Sequence, residues 1–262
     1  MTSVIVGWAT EDRFEGAVIT ADATPLASYS LDTFGFRNPA ERIRFAEQAL
    51  VLTATLAADA RGDVLVIPCC NIDAGDADTT GLRLTNSSGL DVPVPVPALR
   101  QNGIPRTIAL DLTDLADEAT LTADVWNLEI TGNSVPLTFG GFLGLFAKRT
   151  IEAMQWGIAP RVTQHALQTV NEYGGRYRVN FRTQTRALAY TLSVEPDELT
   201  AVEDWHDANA GLAKPGLLWV VSDELEPMIG TLEETQAAPQ AQGMLLYDVA
   251  GVFTALSKGK PV

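Results

Sequence analysis

The sequence predicts a mostly β protein built of two β-sandwich modules, the second an antiparallel sandwich with one packed helix. Three observations predict it. Short apolar runs punctuated by Gly, Pro, Asn and Asp recur from Ala17 to about Ile130, several later runs alternate with a period of two, and one acid-led helical pattern stands alone near residue 200. A chain of 262 residues has room for two ordinary domains. The expected division is residues 1–140 and 141–262, and charge supports it: the first part holds 19 acids and 8 bases, the second 14 acids and 10 bases.

In the first module, Leu50–Ala57 places Leu50, Leu52, Ala54 and Leu56 on one face and Val51, Thr53, Thr55 and Ala57 on the other, so a half-buried strand is expected. Val64-Leu65-Val66-Ile67 is apolar without a break and predicts a strand buried on both faces. Gly81–Leu84, Arg106–Leu112 and Asp124–Ile130 are further strand candidates. Val92-Pro-Val-Pro-Val-Pro97 lacks alternate backbone donors and predicts an edge or an extended connector. Glu41–Gln48 is the one segment here with local helical character.

Phe139-Gly-Gly-Phe-Leu-Gly-Leu-Phe146 marks the boundary. Its glycines free the backbone while Phe139, Phe142 and Phe146 demand burial, so these rings are expected to pack between the modules. Beyond it, Gly174-Gly175 reads as a turn. Arg176–Arg182 then alternates Tyr177, Val179 and Phe181 against Arg176, Arg178, Asn180 and Arg182, and Ala187–Val194 repeats the pattern, so the two runs predict a hairpin. Glu195-Pro196-Asp197-Glu198 opens a helix, with proline and acids where the helix dipole favours them. Leu199, Val202, Trp205 and Ala208 supply its apolar spacing, and Gly211 is a plausible stop. Leu217–Ser222, Pro227–Leu232 and Met244–Phe253 complete the module as strands.

Composition excludes several functional classes. A net charge of −15 opposes sequence-independent binding to nucleic acid and to anionic membranes. No apolar run reaches the ~18 residues of a membrane helix, and Met1–Trp8 lacks the basic flank of a signal peptide. Cys69 and Cys70 are adjacent, a poor geometry for an internal disulfide, and are expected as reduced thiols in a cytoplasm-like compartment.

Catalytic signatures are not evident: the sequence has no nucleophile elbow, phosphate loop or zinc-binding helix, and no enzyme activity or cofactor is expected. Of the two histidines, His165 falls in an expected strand. His206 sits between Asp204 and Asp207, where a solvated helix face is the reading. Asp73, Asp76 and Asp78, with Thr80-Gly81, begin like a calcium loop, but position twelve is Ser87, so an ordinary turn is the expectation and calcium the alternative. Arg161, Arg176, Arg178, Arg182 and Arg186 stand out in an acidic chain. They are expected to meet carboxylates of a neighbouring subunit or domain, where the guanidinium fork pairs bidentately, rather than to bind nucleic acid.

The order of Leu50-Val-Leu-Thr-Ala-Thr-Leu, Asp63-Val-Leu-Val-Ile-Pro-Cys-Cys-Asn71, Trp126-Asn-Leu-Glu-Ile130, Tyr173-Gly-Gly-Arg-Tyr-Arg-Val-Asn-Phe181, the helix Asp197–Asn209 and Pro215-Gly-Leu-Leu-Trp-Val-Val221 resembles distal tail and baseplate proteins of long-tailed bacteriophages. The resemblance covers about residues 17–255 in pattern. It implies a galactose-binding-like jelly roll followed by a tail-ring-like β module. It also implies a structural virion protein, assembled in the bacterial host cytoplasm, that forms a ring of its own copies and links the tail tube to hub and fibre proteins. The family often carries His where this chain has Cys70, so no side-chain role passes to that position. The alternative function is a carbohydrate-binding adhesin module, although the sequence offers no clearly exposed aromatic platform near a loop end.

Overall fold

The computed structural model describes residues 2–7, 11–36, 38–73, 81–96, 106–153, 155–170, 176–209, 216–220, 227–242 and 246–255. Along the chain the strands are β1 (Thr2–Gly7), β2 (Val18–Ala21), β3 (Asn38–Arg44), β4 (Leu50–Arg61), β5 (Val64–Cys70), β6 (Leu82–Asn86), β7 (Asp91–Pro93), β8 (Arg106–Asp111), β9 (Thr122–Ile130), β10 (Thr138–Gly141), β11 (Gly144–Phe146), β12 (Arg149–Ala153), β13 (Gln155–Val170) and β14 (Arg176–Val194). The helix α1 (Pro196–Asn209) follows, then β15 (Gly216–Val220), β16 (Met228–Gln242) and β17 (Leu246–Ala255). The protein is mostly β, with antiparallel sheets in sandwich-like modules and one helix.

In the first module a five-stranded sheet, β2-β4-β9-β6-β7, faces a three-stranded sheet, β11-β5-β8, and a small pair, β10-β3. Alternation explains the layering. Leu50, Leu52 and Ala54 of β4, Leu82 and Leu84 of β6, and Trp126, Leu128 and Ile130 of β9 share one core with Leu65 and Ile67 of β5 and Ile108 and Leu110 of β8. The proline-rich segment takes the edge its missing donors require, since β7 pairs with β6 alone among the described strands.

Glu41–Gln48 does not form a helix. Asn38–Arg44 is β3, in which Ile43 is buried and Arg44 exposed, and Phe45 just beyond it is buried again. This period-two burial, anchored by pairing of Ile43 with Phe139, overrides the weak local helical preference.

The second body is a seven-stranded antiparallel sheet in the order β12-β1-β15-β16-β17-β14-β13. A division at 140/141 assigns Thr2–Gly7 to the first module, but β1 pairs with β12 and β15 and lies inside this sheet. The first module is therefore an insertion between two adjacent strands of the second. The segments Arg176–Arg182 and Ala187–Val194 do not form a hairpin with each other. They are one strand of 19 residues, β14, whose hairpin partner is β13.

The seven-stranded sheet is covered on both faces. On one, α1 sets Val202 and Trp205 among Val4, Val6, Leu188, Tyr190, Leu192, Leu218 and Phe253. On the other, Ile5, Leu217 and Ile229 meet Val64 and Val66 of β5 together with Phe142 and Phe146. Strand β5 thus serves two cores: Leu65 and Ile67 belong to the sandwich, while Val64 and Val66 belong to the junction. That division is the physical meaning of its unbroken apolar run.

Candidate functional site

Of the three boundary rings, Phe142 and Phe146 lie in the junction, stacked at 6.2 Å between centroids. Phe139 lies in the core of the first module, edge-on to Phe34 and Phe45. The two groups are three residues apart, and between them the chain passes from the sandwich core to the junction. Gly144 fits between Phe142 and Phe146, where a Cβ would meet both rings. Polar clasps frame this junction. Asp63 accepts from Arg61 Nε at 2.7 Å and from the Lys148 backbone N–H at 2.9 Å, while Lys148 Nζ bonds Asp111 at 2.5 Å and Thr113 at 3.0 Å.

At the far end of the first module, Asp73 accepts from the Ser134 backbone N–H at 2.9 Å and also from the Ser134 hydroxyl. Its own N–H donates to Asn133 Oδ1 at 2.7 Å, and Asn71 Oδ1 accepts from the Thr138 N–H at 2.7 Å. These bonds tie the segment after β5 to the loop before β10. The other calcium candidates, Asp76 and Asp78, lie outside the described residues. Among the described residues no three His, Cys, Asp or Glu side chains gather closely enough to hold a metal ion. Nearby, the Arg44 guanidinium sits 5.8 Å from the centre of the half-buried Tyr29 ring, an aromatic feature that the sequence pattern did not reveal.

Tyr190 and His206 form a buried pair under α1. The Tyr190 hydroxyl and His206 Nε2 share a hydrogen bond of 2.6 Å. The histidine is 1 % exposed, not on a solvated face. The reason is helical spacing: His206 falls four residues after Val202 and seven after Leu199, on the stripe that faces the sheet. Burial pushes its pKa down to about 4 and raises that of Tyr190. Its Nδ1 has no hydrogen-bond partner among the described residues. The pair packs against Trp205 beneath the helix. His165 lies in β13, where the ladder shifts register between Gln164 and Ala166. Cys70 is buried at the end of β5.

The arginine group is carried by the longest hairpin. Arg161 pairs with Ala187, Arg186 with Val162, Arg178 with Gln168 and Arg176 with Val170; Arg182 lies in β14 beside the register shift. Pairing of β14 with β17 covers only Ala187–Val194. From Arg176 to Arg186, β14 is therefore bonded to β13 alone among the described strands. The other edge of β13, 16 residues long, has no described partner strand. Among the described strands, the stretch that carries Arg176, Arg178, Arg182 and Arg186 is thus paired on one side, with β13.

No protein-family model and no curated protein matches the chain. Several solved structures are similar over about half of it. The lectin domain of lectinolysin complexed with Lewis B antigen matches at 13 % identity and a TM-score of 0.36, covering 52 % of this chain and 96 % of that one. A fucose-binding module from Streptococcus pneumoniae matches at 14 % identity and a TM-score of 0.35, covering 52 % and 94 %. A putative α-L-fucosidase from Bacteroides thetaiotaomicron matches at 13 % identity and a TM-score of 0.37, covering 54 % of this chain and 30 % of that one.

Proposed function

We propose that this chain is a structural assembly protein that binds further copies of itself through the β13 edge and promotes no reaction. The observation that carries the reading is the 16-residue edge strand β13, which has a ladder on one side only among the described strands. A long edge presents a row of backbone donors and acceptors that another chain can pair with; Pro160 and the register shift between Gln164 and Ala166 interrupt that row, so the contact is expected on the stretches to either side of them. An edge that meets a different surface of the next copy gives a head-to-tail contact, which closes into a ring when the rotation allows. In the setting that the sequence resemblance implies, the ring is an adaptor in a phage tail tip or baseplate. The seven-stranded sheet then faces the tail axis, and the inserted sandwich faces hub or fibre proteins.

Light scattering on the purified full chain across a concentration series, followed by negative-stain imaging, tests this. A mass of several copies and closed rings are the expected result; a monomer at millimolar concentration would overturn it.

A second reading, carbohydrate binding by the first module, draws on the Tyr29–Arg44 pair. A half-exposed ring beside a guanidinium offers a stacking face and directional donors, the two groups a sugar ring uses. Binding on a glycan array that includes fucosylated glycans, lost in Tyr29→Ala, would favour it; an array without signal above background would remove it.

A further inference from the structure

We propose that Arg42, Arg44 and Tyr29 form a binding site for a terminal sugar that bears a carboxylate, a uronic or sialic acid. The inference rests on the carbohydrate reading above and names the class of sugar.

The three residues stand on fixed supports. Arg42 and Arg44 flank the buried Ile43 on β3, so period-two alternation puts both on the outward face of the strand. Pairing with β10 holds that strand, with Arg42 opposite Gly140 and Arg44 opposite Thr138, and the buried Phe45 anchors its end. The segment that carries Tyr29 is tied to the same strand: the Leu26 N–H donates to the Arg44 carbonyl at 2.8 Å, and the Tyr29 N–H donates to the Leu26 carbonyl at 3.0 Å. Between those bonds Ser28 holds a φ of +99°, the one positive φ outside glycine among the described residues. Such a conformation is uncommon in a residue with a side chain, and it persists only where the surroundings enforce it. The turn it makes leaves the Tyr29 ring centre 5.8 Å from the Arg44 guanidinium.

Charge points to the ligand. In a chain with 33 acids and 18 bases, neither Arg42 nor Arg44 has a carboxylate partner among the described residues, whereas Arg61, Arg83 and Lys148 of the same module each have one. Asp32, close by in sequence to Tyr29, is engaged by the Ser30 hydroxyl at 3.0 Å. Two residues apart on a strand is about 7 Å, so the two cations repel each other across a short gap. A carboxylate relieves that repulsion, because its two oxygens accept from both guanidinium groups. The ring adds what a bare anion does not use: the face of Tyr29, beside the exposed Leu26, offers apolar surface to the C–H side of a pyranose. One carboxylate on one sugar ring fits two cations and one aromatic face, while a polyanion such as nucleic acid meets the repulsion of a chain of net charge −15.

The test applies the full chain to an array of glucuronosides and sialosides, each printed beside its methyl ester, which keeps the ring and lacks the charge. The wild type is expected to bind the acids about tenfold more tightly than the esters, and high salt should narrow that difference. Arg42→Gln and Arg44→Gln should each bring the acid down towards the level of its ester, whereas Tyr29→Ala should weaken acid and ester together. Thermal melts show which variants fold, and the comparison of acid with ester on the wild type needs no variant. Equal binding of acids and esters, or binding of neutral glycans alone, overturns the acidic-sugar inference and leaves the carbohydrate reading standing. No binding of any glycan, acidic or neutral, overturns both.

Discussion

The Tyr190 hydroxyl lies 2.6 Å from His206 Nε2, and this bond joins the C-terminal part of β14 to the last turn of α1. It is enclosed by aromatic rings: Tyr190 and His206 both contact Trp205, which in turn stacks on Phe253. The helix is therefore held to the sheet by packing around one polar contact that water does not reach.

Acid should loosen this attachment. The His206 pKa is lowered from 6.5 to about 4 by burial, so between those values the unfolded chain binds more protons than the folded one. Stability from this group is intact above pH ~6.5, falls as pH drops and is fully lost below about 4, a change of at most ~3 kcal/mol. Urea melts of wild type and His206→Phe at pH 7 and pH 4.5 check the sign. The variant, which cannot titrate, should lose less stability between the two pH values than wild type does.

Removing the hydroxyl while keeping the ring isolates the hydrogen bond. Tyr190→Phe leaves both His206 nitrogens without a partner in a buried site, and a loss of about 1–3 kcal/mol is expected in denaturant melts. A change within error would mean that the bond contributes nothing to holding α1.

Phe146 joins the two bodies, packing with Ile5, Val64, Val66, Leu217 and Ile229. Phe146→Ala should cost about 3–5 kcal/mol. It should also split a single calorimetric transition into two, as the sandwich and the seven-stranded sheet begin to unfold separately.

Gly230 in β16 pairs with Gly216 and Ala255, and a Cβ there would run into the Thr254 carbonyl. Because the obstacle is backbone, Gly230→Ala should destabilise by about 1–3 kcal/mol. The same substitution at Gly16, where no atom lies within 4 Å of a Cβ, carries a cost from its φ of +79° but no clash.

Asp73 clamps Ser134 through its carboxylate. Asp73→Ala should lower stability by about 1–3 kcal/mol. The loss is expected to be equal with and without added Ca²⁺; a loss that appears only when Ca²⁺ is present would favour the calcium reading of this loop.

What could be read from the sequence was local and periodic. The alternation of Leu50, Leu52 and Ala54 identifies β4, and the unbroken Val64–Ile67 run identifies a strand with two buried faces. Proline and acids at Pro196–Glu198 locate the start of α1 within a residue. What escaped the sequence reading was set by distant partners. Thr2–Gly7 looks like any short strand, and only its pairing with Arg149–Ala153 assigns it to the second sheet. The gap between the runs Arg176–Arg182 and Ala187–Val194 is not a turn, because the backbone continues through it as one strand laddered to β13. His206 was legible, since its spacing from Leu199 and Val202 puts it on the apolar stripe, but its aspartate neighbours suggested solvent instead.

Because Val6 of β1 stands opposite Arg149 of β12, the backbone leaves the sheet and re-enters it at neighbouring points. Residues 8–148 hang from that gap like a cassette in a frame. A tight turn across it would keep the strand order of the seven-stranded sheet but would uncover Ile5, Leu217 and Ile229, so any lobe exchanged at this gap must bring apolar side chains of its own to cover them.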